Sequence, residues 1–319
     1  MPSLAVKLGP LRARNPIFSA SGTFGYGEEM EVFVDPSIYG GIIGKSISLE
    51  PRLGNPVPRI AETPSGMLNS IGLQNPGFEA FVRDYLPRMR NYGTAVVVNL
   101  VGDNVEEYVE MASRLRDEAG VDAIELNISC PNCPVGGMEF GIDPIATRKL
   151  VERVREAFRG PIVAKLTPNV TDITTIARAA EDGGADILSV VNTFMGMAVN
   201  WRRRETIIPG GSGGLSGPAI KPLALRMVWL VAQTCKIPIM GIGGIMNADD
   251  VMEFLVAGAS AVQIGTVQFV RPRCIEAILT DLERFLEEEK LDSIQSAVGS
   301  LTVKRPLRPS WESPSGSES

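Results

Sequence analysis

The sequence predicts a single (β/α)8 barrel of the α/β class, with an N-terminal hairpin and long loops on the C-terminal face of its strands. Three observations predict it. Eight short apolar runs recur along the chain, mostly continuous rather than alternating, as parallel strands buried on both faces require. Amphipathic helical patterns fall between many of them. Polar residues gather at the C-terminal ends of the runs, the face on which such barrels carry their sites.

The elements follow in order. Leu4–Leu8 and Leu11–Arg14 flank Gly9-Pro10 and predict a hairpin closing the barrel bottom. The apolar runs are Ile17–Ser21, Gly41–Ser46, Ala95–Leu100, Ala123–Ser129, Pro161–Thr167, Ile187–Thr193, Pro238–Gly243 and Ala261–Thr266. Helices are predicted over Val105–Ala119, Asp143–Phe158, Asp172–Asp182, Pro218–Cys235 and Ala248–Ala257. Asp172 and Asp249 are expected helix starts, and Gly183-Gly184 and Gly258 expected stops. A doubly wound open sheet is the alternative. Against it, no G-x-G-x-x-G follows the first run and no shift in composition marks a second domain. The barrel is expected over residues 1–305, with the polar, Ser- and Pro-rich residues 306–319 as a flexible C-terminal tail.

Composition narrows the function. The chain has 319 residues, 44% hydrophobic and 21% charged, which suffices for a large core. A net charge of −6 offers no basic field for nucleic acid. No apolar run approaches the roughly 20 residues of a membrane span, and the first ten residues lack the apolar stretch of a signal peptide. A cytoplasmic enzyme is the expectation.

The chain contains no histidine. Proton transfer near neutral pH therefore falls to a carboxylate, a lysine, a tyrosine or a thiol. Cys130, in Asn127-Ile-Ser-Cys-Pro-Asn-Cys133 just past a strand end, is the leading candidate. With Cys133 it forms a C-x-x-C pair. Zinc would need two more ligands, and Cys235 and Cys274 sit in apolar segments, so no metal is expected. A thioredoxin-like dithiol opens a helix, whereas Pro131, Pro134 and Gly136-Gly137 make this a loop.

Ser21, Lys45 with Ser46, Asn99, Asn127, Lys165, Asn192 with Thr193, Gly243-Gly244 and Gly265-Thr266 all stand at or near strand ends. A solvated strand end explains any one of them; their convergence favours a site. Lys45 and Lys165 are embedded in apolar strands, where an ammonium is costly unless paired, so both are expected to face an anionic or electron-rich ligand. The glycine pairs end the seventh and eighth runs, where barrels commonly bind phosphate. The Gly-rich stretch 210–217 is a further ligand-approaching surface or a plain linker. Long insertions are expected at Glu50–Asn75, Cys130–Ile142 and Phe194–Ser216. The Trp201-Arg-Arg-Arg204 run in the last is read as a solvated charged face or an interaction surface rather than a substrate-binding lid.

Together Ser19-Ala-Ser-Gly22, Gly44-Lys-Ser46, Asn69-Ser-Ile-Gly-Leu73, Asn127-Ile-Ser-Cys-Pro-Asn132, Lys165-Leu, Val191-Asn-Thr193, Gly241-Ile-Gly-Gly244 and Gly265-Thr266 resemble dihydroorotate dehydrogenase, a TIM-barrel flavoenzyme family of pyrimidine biosynthesis. The resemblance spans residues 4 to about 305. Cysteine at position 130 resembles the soluble class 1 enzymes, where class 2 enzymes use serine; Gly136-Gly137, Phe140-Gly141 and Asp143 resemble the NAD-linked B type.

The resemblance implies FMN bound by Ser21, Lys45, Ser46, Asn99, Asn127, Lys165, Val191, Gly217, Gly243, Gly244, Gly265 and Thr266. It implies dihydroorotate gripped by Lys45, Asn69, Ser70, Ile71, Gly72, Leu73, Asn127, Asn192 and Thr193. On the same resemblance Cys130 would take the C5 proton as general base, hydride would pass from C6 to flavin N5, and Lys165 would stabilise negative charge on the reduced ring. The cysteines do not suffice for an iron–sulfur cluster, and no dinucleotide fingerprint is present. The B-type resemblance thus implies a homodimer core with an electron-transfer subunit carrying FAD and [2Fe–2S], a heterotetramer passing electrons to NAD. No Lys or Arg occurs from Asp117 to Thr147, so nothing local in sequence lowers the Cys130 thiol from its reference pKa of about 8.5, and turnover is expected to rise toward alkaline pH. Cys133 is a bystander or an oxidative partner of Cys130. The alternatives are the fumarate-linked A type, another FMN-barrel pyrimidine oxidoreductase, a non-catalytic flavin scaffold and a dithiol protein.

Overall fold

The structure, a computed structural model, describes residues 2–129 and 140–303. Cys130, Cys133, Gly136-Gly137, the tail and the boundary at residue 305 lie outside them. Eight parallel strands close a barrel in chain order: β1 (Ile17–Ser19), β2 (Gly41–Ile43), β3 (Ala95–Leu100), β4 (Ala123–Asn127), β5 (Ile162–Lys165), β6 (Ile187–Val190), β7 (Ile239–Ile242) and β8 (Ala261–Ile264). The ring is sealed where β8 pairs β1, with Val262 opposite Ile17. Each predicted run supplies one strand. Most strands stop before the run does, because the polar residues at the run ends already turn into the barrel mouth.

Helices wrap the barrel. The six longest are α1 (Val105–Leu115), α2 (Pro144–Ala157), α3 (Ile173–Asp182), α4 (Lys221–Ala232), α5 (Ala248–Val256) and α6 (Cys274–Glu288). Their starts follow capping chemistry. Asn104 accepts from the Glu107 N–H at 3.0 Å, and the Glu107 carboxylate accepts in return from Asn104 Nδ2. Asp143 caps α2 ahead of Pro144, and Asp172 caps α3 by accepting from the Thr174 N–H. Asp249 is not the start of α5. Asn247 is, accepting from the Asp250 N–H at 2.9 Å, while Asp249 occupies the first turn and faces the positive end of the helix.

Two elements go beyond the prediction. Helix α6 buries Ile275, Ile278, Leu282 and Leu286, a helical spacing present in the sequence but not predicted. The insertions after β2 and β6 also pair with each other. Phe194–Gly196, Gly213–Ser216, Gly66–Asn69 and Ile60–Thr63 form a four-stranded antiparallel sheet, with Gly214 opposite Asn69. The N-terminal hairpin pairs Val6–Leu8 with Leu11–Ala13. A Cβ at Gly9 would stand 3.3 Å from the Asp186 carbonyl, just ahead of β6, so the hairpin covers the N-terminal face. Trp201 is 70% exposed at a small hairpin, with the Arg202 guanidinium stacked on its ring, in keeping with a solvated face. Among the described residues no helix is long and apolar enough to cross a membrane.

Candidate active site

Barrel interiors of this class are filled by layers of branched apolar side chains. Here one layer is polar. Glu125 on β4 is wholly buried, and an unpartnered carboxylate there would be very costly. Four neighbours satisfy it. Asn99 Nδ2 donates to Oε1 at 2.6 Å, Ser189 Oγ to Oε2 at 2.7 Å and Gln263 Nε2 to Oε2 at 2.8 Å. The Lys165 ammonium lies 3.7 Å from Oε1. Register places them: Asn99 stands opposite Glu125, and Ser189 opposite Lys165. Lys165 was expected to meet its counter-charge in a ligand; the protein supplies one.

A carboxylate only accepts, so it fixes both amides with their nitrogens inward. Their carbonyl oxygens, Asn99 Oδ1 and Gln263 Oε1, are left buried without a protein partner. Gln263 lines the cavity above.

That cavity, about 280 Å3, opens at the C-terminal ends of the strands, with room for a ligand rather than a few waters. Of the described residues predicted for the site, all but Asn99 and Ser70 line it. Asn99 lies below, committed to Glu125, and Ser70 is buried at the rim, accepting from Asn55 Nδ2 at 2.9 Å. Cys130 is outside the described residues, but Ser129 beside it belongs to a hydrogen-bonded chain along one wall. Asn192 Nδ2 donates to Ser129 Oγ at 2.6 Å, Ser129 Oγ to Asn127 Oδ1 at 2.9 Å, and Asn127 Nδ2 to Ser46 Oγ at 3.3 Å. The Tyr108 hydroxyl donates to the Asn127 carbonyl at 2.9 Å and pins the end of β4.

Across the mouth, Asn69 Nδ2 donates to the Gly214 carbonyl at 3.1 Å, which ties the rim segment Asn69–Leu73 to the second sheet. Lys45 is half-buried, and among the described residues no carboxylate lies within ion-pairing distance of it. Burial lowers its pKa; Glu29 opposes that effect and Arg59 adds to it.

The last wall is backbone. Gly243 and Gly244 have φ of +133° and +75°, and Gly217 has +96°. A Cβ at Gly244 would sit 2.8 Å from the Lys221 amide nitrogen and 2.9 Å from the Gly217 carbonyl. Only glycine fits there, and it leaves main chain facing the cavity, as phosphate recognition requires. Thr266 Oγ1 donates to Ser216 Oγ at 2.8 Å beside it. The orphaned Gln263 acceptor and this glycine wall suit a ligand with ring N–H groups at one end and a phosphate at the other. Among the described residues no three Cys, Asp or Glu side chains are grouped to hold a metal ion.

Sequence reasoning missed Glu125, Ser189 and Gln263 as site-forming residues. The signal for Glu125 was present: it is a charge inside an apolar strand, the same signature that marked Lys165.

Comparison with known proteins gives a consistent result. The family model for dihydroorotate dehydrogenase matches residues 3–286. A protein of Citrifermentans bemidjiense named dihydroorotate dehydrogenase B (NAD(+)), catalytic subunit, is 49% identical over 302 residues, covering 95% of this chain and 99% of its own. Proteins of the same name from Trichlorobacter lovleyi (50% over 300 residues, 94% and 99% covered) and Bacteroides thetaiotaomicron (48% over 303 residues, 95% and 100% covered) are similar to the same extent.

Proposed function

Because the chain belongs to the dihydroorotate dehydrogenase family, we propose that it oxidises dihydroorotate to orotate in pyrimidine biosynthesis, as the catalytic subunit of an NAD-linked type B enzyme. The convergence of two lysines, a chain of amides and a glycine wall on one cavity carries this reading.

FMN, when bound, supplies the acceptor for the C6 hydride of the substrate. The residues to hold it are Ser21, Lys45, Ser46, Asn127, Lys165, Val191, Gly217, Gly243, Gly244, Gly265 and Thr266, with the glycines at the phosphate end and Lys165 at the pyrimidine end, while Asn99 supports the site from below through Glu125. Dihydroorotate is an anion with ring N–H and C=O groups. Lys45 balances its carboxylate, and Asn69, Asn127, Asn192 and Thr193 match the ring through complementary donors and acceptors. Ser70 supports the rim segment from beneath. Cys130 takes the proton from C5, which leaves the pair of electrons that forms the new C5–C6 double bond as the hydride departs from C6.

Electrons leave through a partner. The reading is a homodimer core bound to a subunit carrying FAD and [2Fe–2S], in the cytoplasm. Anaerobic assay of the purified FMN-loaded chain, with dihydroorotate and either NAD or an artificial dye, tests both halves. Orotate formation with the dye, and NAD reduction only after the partner subunit is added, is the expected result. Efficient NAD reduction by the chain alone would remove the partner, and no orotate with any acceptor would remove the activity.

A further inference from the structure

Glu125 has no place in the reaction as derived, yet it is the most heavily satisfied buried charge near the cavity. It sits on the barrel axis side of β4, two residues before Asn127, and touches donors from β3, β6 and β8 as well as the Lys165 ammonium from β5. Gln263 Nε2 also donates to Ser189 Oγ at 2.8 Å, so the donors are themselves cross-linked. Lys165 and Gln263 both line the cavity, whereas Glu125 is fully shielded beneath them. A fixed negative charge 3.7 Å behind a cation reduces the positive field which that cation projects forward, more strongly here than in water. The amide and hydroxyl donors draw part of the carboxylate's charge away from Lys165 and hold it in one place.

We propose that Glu125 is a positioning residue that anchors the Lys165 ammonium under the cavity and sets how much of its charge reaches the cofactor. This rests on the reading that the cavity takes FMN with Lys165 at its pyrimidine end. Reduction adds negative charge to that end of the ring. An uncompensated Lys165 favours the reduced form, and a fully compensated one does not. Glu125 and its donors hold the balance between these limits.

The test is the midpoint potential of bound FMN, measured by anaerobic dye-coupled titration. Glu125→Gln keeps the shape and removes the charge. It is expected to shift the equilibrium toward reduced flavin at least tenfold, about 30 mV positive for a two-electron couple, and Glu125→Asp is expected to return most of that shift. An unmoved or more negative potential in Glu125→Gln overturns the proposal. Should Glu125→Gln take up no FMN, Ser189→Ala serves instead. It keeps the carboxylate but removes one donor, leaving more negative charge toward Lys165. A negative shift supports the proposal, and no shift or a positive one overturns it. A wild-type chain that takes up no FMN defeats the underlying functional reading; a normal wild type beside an unmoved variant defeats only the role of Glu125.

Discussion

Lys165 and Glu125 form an ion pair inside the barrel, 3.7 Å apart, with side-chain exposures of 5% and 0%. Breaking a buried pair by removing one partner commonly costs 3–5 kcal/mol, because the survivor is left charged and unpaired. Glu125 retains three hydrogen-bond donors when Lys165 is lost, which places the expected cost near the lower end.

Lys165→Met should therefore lower unfolding free energy by about 3 kcal/mol. Adding Glu125→Gln to it should recover part of the loss, since no charge then remains unpaired. Urea denaturation of the FMN-free chains measures both. With Glu125→Gln alone measured as well, losses that simply add in the double variant would show that the pair is not coupled.

Lys45 gives a pH dependence. Its pKa lies below the ordinary 10.5 because burial disfavours the ammonium. The ammonium therefore gives up its proton at a lower pH than an ordinary lysine does. If it balances the substrate carboxylate, KM for dihydroorotate rises with pH as that proton is lost. Lys45→Gln should raise KM about 10- to 100-fold where the ammonium is charged, the worth of a charge-assisted hydrogen bond, and abolish the rise with pH. A pH-independent KM in the unaltered enzyme would count against the assignment.

Gly244→Ala combines a positive φ with a Cβ pressed on the Lys221 nitrogen and the Gly217 carbonyl. A cost of about 1–3 kcal/mol is expected for the backbone alone. The wall must also shift, so FMN retention through gel filtration should fall. A variant that melts with the wild type and keeps its flavin would show that the cavity wall is more pliant than the close contacts imply.

Much of the fold was legible because barrel strands announce themselves. Continuous apolar runs such as Ala95–Leu100 have no other economical reading, and their polar ends marked the mouth. The second sheet was not legible. Its strands are short and carry Gly66, Gly196, Gly213 and Gly214, and their pairing joins segments about 150 residues apart in sequence, which no local pattern reveals. The site was legible where a lone charge or a glycine pair interrupts an apolar run. Ser189 and Gln263 were invisible because a single polar residue in a strand reads as an ordinary alternation until register sets it beside Glu125.

Cys235 and Cys274 are both buried. Burial pushes Cys235 up to about 12, with Glu181 adding to it, and Cys274 to about 11. At pH 8 roughly one in a thousand or fewer of either is thiolate, and the thiolate is the reactive form. Brief alkylation of the native chain followed by peptide mass mapping should leave Cys235 and Cys274 unmodified. Rapid labelling of either would contradict their placement in the core.

The most direct measurement is anaerobic mixing of the FMN-loaded chain with dihydroorotate, alone and as Cys130→Ala. The unaltered chain should lose its yellow flavin absorbance and release orotate. The variant should stay yellow, with bleaching slowed by roughly 10²- to 10⁴-fold for loss of a general base. A chain that holds FMN but is not bleached by dihydroorotate, or a variant that bleaches at the unaltered rate, would contradict the account.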